Sequence, residues 1–311
     1  MTNSRTQHGI VVLQTGGFVD VRLEDGSVVR CRLRGRLKKE RVKTDLCVIG
    51  DRVEILPNEE GPSTVESIEP RRTKFSRTHP ARGARLVEDV LVANLDVLVV
   101  CFGYGSAIHP RMLDRFLVIA EHNHIVPVIV ANKCDREEAE YQRELFEPYT
   151  ELGYEVIETS TRTDEGIEEL RDRLRGRIAA FSGPSGAGKS SLVNRMIPGL
   201  DLRVGEINEL DGKGRHTTRV ATLHALPDGG FVADTPGIRE LGTWDLPPSE
   251  LDRCFREIAE VRDGCQFRDC VHVEEPGCAV KAAVDDGRIR EERYDSYLRM
   301  LDDEERPERV G

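Results

Sequence analysis

No stretch of this 311-residue chain stays apolar for the roughly 20 residues that a bilayer-crossing helix needs, so no membrane partner is expected. The first residues, Met1–Gly9, are polar and run into a short strand-like segment, so no secretory leader is expected. Positive charge is not in excess either: 45 Lys+Arg stand against 56 Asp+Glu, a net charge of −11 and a pI near 5.4. That excludes a protein that coats nucleic acid through bulk charge. Internal repeats and low-complexity tracts are missing. Without an export signal the eight cysteines do not suggest a disulfide framework. Cys31, Cys47, Cys101 and Cys134 are scattered and read as reduced thiols, and Cys254 as a core residue of a helical stretch.

What charge there is lies unevenly. Residues 1–75 carry a net +3, residues 76–239 a net −5 and residues 240–311 a net −9. An anion-binding surface is therefore expected near the N-terminus. The Arg30–Lys43 segment holds eight positive residues and one negative, and Arg71–Arg85 adds six positives with no acid. One reading is a solvated strand edge guarded by charge. The other is phosphate contact with RNA, which the dense Arg content favours because Arg pairs bidentately with phosphate.

Residues 10–75 read as short β-strands, at 10–13, 17–23, 27–33 and 51–56, separated by Gly turns; Asp25-Gly26 is a hairpin signal. Such a pattern suggests a small barrel. From about residue 90 the texture is α/β. Asp96–Cys101 and Val126–Ala131 are continuous apolar runs, as in strands buried on both faces, and Arg111–His124 between them has helical spacing at Met112, Phe116 and Ile119. Further strands are predicted at 153–158, 178–182 and 231–233, with a helix at 166–174. After Trp244 the chain turns helical and acidic.

Four motifs sit at strand ends. Gly183-Pro184-Ser185-Gly186-Ala187-Gly188-Lys189-Ser190 fits G-x4-G-K-(S/T), follows an apolar run and precedes a helix that opens at Ser191. Its backbone N–H groups and helix N-terminus suit a polyphosphate; Lys189 is placed to reach the β- and γ-phosphates and Ser190 to ligate Mg²⁺. Asp234-Thr235-Pro236-Gly237 follows Phe231–Ala233. Alone it is a common turn, but after such a loop and a strand Asp234 suits a carboxylate holding Mg²⁺ through water, with the Gly237 N–H facing a γ-phosphate. Between them, the loop Gly212–Thr218 offers a threonine hydroxyl to the metal, Thr217 or Thr218, unless it is a plain connector. Finally, Asn132-Lys133-Cys134-Asp135 ends a buried strand. In this setting Asp135 accepts from guanine N1–H and the exocyclic amine together, which adenine cannot supply. Lys133 lays its stem along the base, and Thr159-Ser160-Thr161 offers a backbone N–H to the guanine oxygen.

The order of these motifs is unusual: the base reader precedes the phosphate loop, which precedes Thr217/Thr218 and Asp234. Rotating the usual order is allowed when the original termini lie close together at the surface. A domain fused after Gly237 would then be tied to the loop that senses γ-phosphate. In that tail Cys265-x4-Cys270-x-His272-x5-Cys278 supplies three thiolates and an imidazole, a closed set for one structural Zn²⁺. Three reduced thiols beside a surface histidine are the alternative.

Together these features resemble the RsgA (YjeQ/EngC) family of small-subunit-dependent GTPases, over nearly the whole chain. The resemblance implies an OB-fold β-barrel at residues 1–75, a circularly permuted P-loop GTPase domain at 76–242 and a helical zinc-binding domain at 243–311. It implies hydrolysis of GTP to GDP stimulated by the small ribosomal subunit, late in maturation of that particle, in the bacterial cytoplasm, and a monomer is expected. The expected nucleotide set is Asn132, Lys133, Asp135, Ser160, Thr161, Gly183 through Ser191, Thr217, Thr218 and Asp234, with Mg²⁺ at Ser190 and Thr218. Where many GTPases carry a water-orienting Gln, this chain has Ile238. Slow intrinsic turnover is therefore expected, with Lys189 and Gly237 at the phosphates and His216 as the nearest candidate to position water. Two other readings are a zinc-stapled RNA-binding adaptor with a weakly active nucleotide site, and a kinase or ATPase. Intact Lys189, Ser190 and Asp234 oppose the first; the guanine reader opposes the second.

Overall fold

The computed structural model describes residues 6–15, 17–35, 47–80, 86–202, 221–235 and 246–305. His216, Thr217, Thr218, Gly237, Ile238 and most of the 30–43 basic run lie outside the described residues. The strands are β1 Gln7–Thr15, β2 Phe18–Leu23, β3 Val28–Leu33, β4 Arg52–Leu56, β5 Ser63–Ile68, β6 Lys74–Pro80, β7 Leu86–Ala93, β8 Val97–Gly103, β9 Val126–Asn132, β10 Glu155–Thr159, β11 Ile178–Ser182, β12 Thr222–Ala225 and β13 Phe231–Asp234. The longer helices are α1 Pro110–His122, α2 Ile167–Leu174, α3 Lys189–Met196, α4 Arg256–Val261, α5 Ala279–Asp285 and α6 Glu291–Glu305. The chain forms two compact units: residues 1–98, 167–182 and 189–243 in one, and 99–166, 183–188 and 244–311 in the other.

In the first unit, β1 pairs with both β2 and β4, and the order β1-β2-β3-β5-β4 closes a five-stranded barrel. The alternation read from the sequence is what fills it: Val19, Val21 and Leu23 of β2 point inward with Val11, Cys31, Val53, Ile55 and Val65. Each such side chain contributes about 1.5–3 kcal/mol through burial. The Asp25-Gly26 hairpin forms as expected, with Gly26 at φ 86° and the Ser27 N–H and hydroxyl both donated to the Asp25 carboxylate. Two elements escaped the pattern: β5, which joins β3 in parallel, and the β6–β7 hairpin. On the barrel surface the Arg30 and Arg32 guanidinium groups lie 4.9 and 5.1 Å from the centre of the Phe18 ring. Behind the barrel, Arg71 grips the fully buried Asp51 through two nitrogens at 2.7 and 2.9 Å. The same unit holds β11, β13 and β12, with β11–β13 parallel and β12–β13 antiparallel.

The second unit is built on β9 and β10, in parallel register from Val128↔Glu155 to Asn132↔Thr159, beside β8. All of β8 is buried, in keeping with its unbroken apolar run. Pro110 opens α1, where a missing N–H costs nothing. Its buried face runs through Leu113, Phe116, Leu117 and Ala120, and Met112, expected on that face, is 37% exposed. One residue of register separates the two readings: the i, i+3, i+4, i+7 stripe starts at Leu113. A second core gathers Leu251, Cys254, Phe255, Ile258, Val280, Ile289, Tyr297 and Leu301 around the C-terminal helices, with Val118 of α1 inside it. Cys254 is a core residue, as read from the sequence.

Candidate nucleotide site and metal cluster

The phosphate loop follows from its glycines. Gly183 has φ +128° and Gly188 φ +96°, both in the region that side chains disfavour. A Cβ on Gly183 would lie 2.1 Å from the Cys101 carbonyl oxygen, and one on Gly188 would lie 2.2 Å from Asn132 Nδ2. The backbone can run this close to β8 and β9 only without side chains. Ser185 and Gly186 are exposed at the crest and Ala187 is buried beneath. Lys189 and Ser190 follow as the first residues of α3, half-buried, with Ser191 behind them.

The base-reader loop holds this loop directly. Asn132, buried at the end of β9, donates from Nδ2 to the Ala187 carbonyl at 2.8 Å and accepts from the Thr159 hydroxyl at 3.0 Å. Lys133, in the left-handed region at φ +65°, donates from Nζ to the Gly186 carbonyl at 2.6 Å. Its ammonium end is thus anchored on the phosphate loop. Residues 55 apart in sequence, Asn132 and Ala187, are hydrogen-bonded.

Asp135 faces the loop after β10. Ser160 donates its hydroxyl to Oδ1 at 2.5 Å, and Arg162 donates Nε to Oδ2 at 2.6 Å and Nη2 to the Asp135 carbonyl at 3.3 Å. The Ser160 hydroxyl and then the Arg162 guanidinium hold the Asp135 carboxyl below its ordinary range. Of the 159–161 segment expected to offer an N–H to the guanine oxygen, the Ser160 N–H is donated to the Glu165 carbonyl at 3.0 Å. Thr161 sits half-buried in the same turn. Burial, then Glu165, pushes the Cys134 thiol up to about 11, so it stays protonated in this loop. In the other unit Asp234 ends β13, in register with Thr222 of β12.

The second cluster is Cys265, Cys270, His272 and Cys278, whose ligand atoms all lie within 4.8 Å of one another. His272 Nδ1 stands 3.6 Å from Cys265 Sγ and 3.4 Å from Cys278 Sγ, and those sulfurs are 3.9 Å apart. A tetrahedral ion with metal–sulfur bonds of about 2.3 Å and a metal–nitrogen bond of about 2.0 Å has edges of about 3.5–3.8 Å. The donor set therefore fits a tetrahedral metal ion. Burial disfavours the Cys265 thiolate, but N–H groups of Ala279 and Val280 more than compensate and bring its pKa down. Cys278 caps α5, its sulfur accepting from the Lys281 N–H. The ring's other face was not anticipated: His272 Nε2 lies 3.4 Å from Asp252 Oδ2, which also accepts from Arg262 Nε at 2.5 Å. Such a carboxylate fixes the tautomer that leaves Nδ1 free to bind metal. No local spacing signals it, since Asp252 lies 20 residues upstream.

An Asn-Lys-x-Asp loop bonded to a phosphate loop that follows it in the chain is the arrangement of a circularly permuted P-loop GTPase. The RsgA GTPase model matches residues 68–244 and the RsgA N-terminal domain model residues 8–65. The Small ribosomal subunit biogenesis GTPase RsgA of Gemmatimonas aurantiaca is 45% identical over 97% of this chain and 98% of its own length. That of Moorella thermoacetica is 42% identical over 94% and 96%. YjeQ from Thermotoga maritima superposes with a TM-score of 0.78 at 37% identity, covering 96% of this chain and 98% of its own. YloQ, described as a circularly permuted GTPase, gives 0.77 at 27% identity, covering 100% and 99%. The chain belongs to the RsgA family of GTP hydrolases.

Proposed function

We propose that this chain is a ribosome-biogenesis GTPase that binds the small ribosomal subunit and its rRNA. It hydrolyses GTP to GDP and phosphate with stimulation by that particle, and assists its late maturation in the cytoplasm. The observation that carries the nucleotide part is the hydrogen bond from Asn132 to Ala187, which joins the proposed base-reading loop to the phosphate loop. Asp135 accepts from guanine N1–H and the 2-amine. The amides of residues 183–188 and the Lys189 ammonium hold the polyphosphate. Mg²⁺, when bound through Ser190, Thr217 or Thr218 and water on Asp234, neutralises charge on the β- and γ-phosphates. Ile238 cannot orient water, so turnover of the free protein is slow and completion of the site falls to the docked particle. His216 is the residue proposed to position water. The basic barrel surface, with Phe18 between Arg30 and Arg32, supplies phosphate and base contacts. The Cys₃His set holds one structural Zn²⁺, and the domain limits are 1–75, 76–242 and 243–311. Phosphate release measured with and without purified small subunits tests the reading: slow turnover alone and a marked rise on adding subunits are expected. Identical rates would overturn it.

A further inference from the structure

The ion pair between Arg162 and Asp135 has no role in the motif that singled out Asp135. An ionised carboxylate offers about four lone-pair sites on its two oxygens. The Ser160 hydroxyl occupies one on Oδ1 and Arg162 Nε one on Oδ2, so each oxygen is pinned by a different donor and neither is filled by it. Guanine presents two parallel donors, N1–H and the 2-amine, which ask for two acceptors side by side. Asp135 is only 14% exposed, so little more than those remaining sites faces outward, whereas the Arg162 side chain is 71% exposed and lies over the rim. The turn that carries both donors is itself fixed, because the Ser160 oxygen accepts from the N–H groups of Arg162 at 3.1 Å and Thr163 at 3.2 Å. Arg162 further clasps the Asp135 backbone carbonyl, so both its side chain and its main chain are held.

We propose that Arg162 is a positioning residue for base recognition: together with Ser160 it locks the rotation of the Asp135 carboxylate so that both oxygens meet guanine at once. The inference rests on the guanine reading of this site. It makes Arg162 a determinant of discrimination against bases with only one of the two donors. A carboxylate free to rotate can satisfy a single N–H in many orientations. It satisfies two parallel donors in one. Removing the lock therefore weakens guanine more than hypoxanthine, which keeps N1–H and lacks the 2-amine. A general loosening of the loop would weaken both alike.

The test is calorimetric titration of the full chain with GDP and with IDP, for the parent protein, R162Q and R162K. R162Q is expected to weaken GDP about tenfold, the scale of one hydrogen bond to a charged group, with a smaller loss for IDP. R162K, which keeps a cationic donor without the fork, is expected to recover part of the preference. Equal losses for the two nucleotides, or GDP affinity unchanged or tighter in R162Q, would overturn the proposal. A parent protein that binds ADP as well as GDP would instead overturn the guanine reading on which the proposal stands.

Discussion

At the scale of single residues, the chemistry is concentrated in a few side chains whose geometry is set by neighbours remote in sequence. In the proposed reading Asp135 accepts from two donors of guanine, and Asp135→Asn replaces one acceptor oxygen by an amide donor. It is expected to cut GDP affinity at least tenfold and to raise that for XDP, whose base carries an oxygen where guanine has its amine; competition titration measures both. In the same proposed reading Lys189 meets the β- and γ-phosphates, and Lys189→Ala is expected to lower single-turnover GTP hydrolysis by about 10²–10³-fold, as loss of a charge-stabilising group does. The motifs that hold Lys189 and Asp135 were visible without a structure, because each is a run of adjacent residues at a strand end. Arg162, Asp252 and the Asn132–Ala187 bond were not, since nothing in local spacing says which distant atom a side chain will meet.

Among elements, the C-terminal helices carry the most instructive pairing. Arg293 of α6, 4% exposed, donates to Glu257 of α4 at 2.6 Å and to Asp114 of α1, which also accepts from Tyr149 at 2.7 Å. Its guanidinium lies 4.7 Å from the Phe255 ring centre. Removing one partner of a buried ion cluster leaves uncompensated charge, so Arg293→Ala is expected to cost about 3–5 kcal/mol in urea unfolding. The loop carrying the Cys₃His set, which could hold a metal ion, lies against the same helices. The Tyr294 and Tyr297 hydroxyls donate to the His272 and Val271 carbonyls, at 2.5 and 2.9 Å, fastening that loop to α6. Chelation by excess EDTA, or Cys278→Ser, is expected to lower the unfolding temperature and to expose amides of residues 265–285 to hydrogen exchange. Strands and helices whose apolar period runs unbroken, such as β8 and β2, were visible in sequence. β5, with its shorter and half-buried alternation, gains its place by closing the barrel.

For the whole molecule, charge and acid response follow from these parts. Ser160 and Arg162 depress the Asp135 pKa; at Glu158 burial opposes ionisation but hydrogen bonds from Arg143 and Tyr104 outweigh it and lower the pKa beneath the ordinary 4.5. A carboxylate depressed in the folded state stabilises it above its unfolded pKa and loses that contribution as pH falls through the folded value. The unfolding temperature is therefore expected to be steady above pH 5 and to drop below about pH 4, as thermal scans across that window would show. The response to added subunits is expected to weaken with salt in turn, since residues 1–75 carry a net +3 while the remainder is net negative. By itself the sequence determined the α/β class, the barrel, the order of the nucleotide motifs and the metal-ligand set, because hydrophobic period and motif chemistry act over a few neighbouring residues. Only the tertiary structure decided which carbonyl Asn132 reaches, what locks the Asp135 carboxylate, what orients His272 and where Arg293 finds its counter-charges. Those are long-range choices, made where a polar group taken out of water must find a partner the folded chain has already brought within reach.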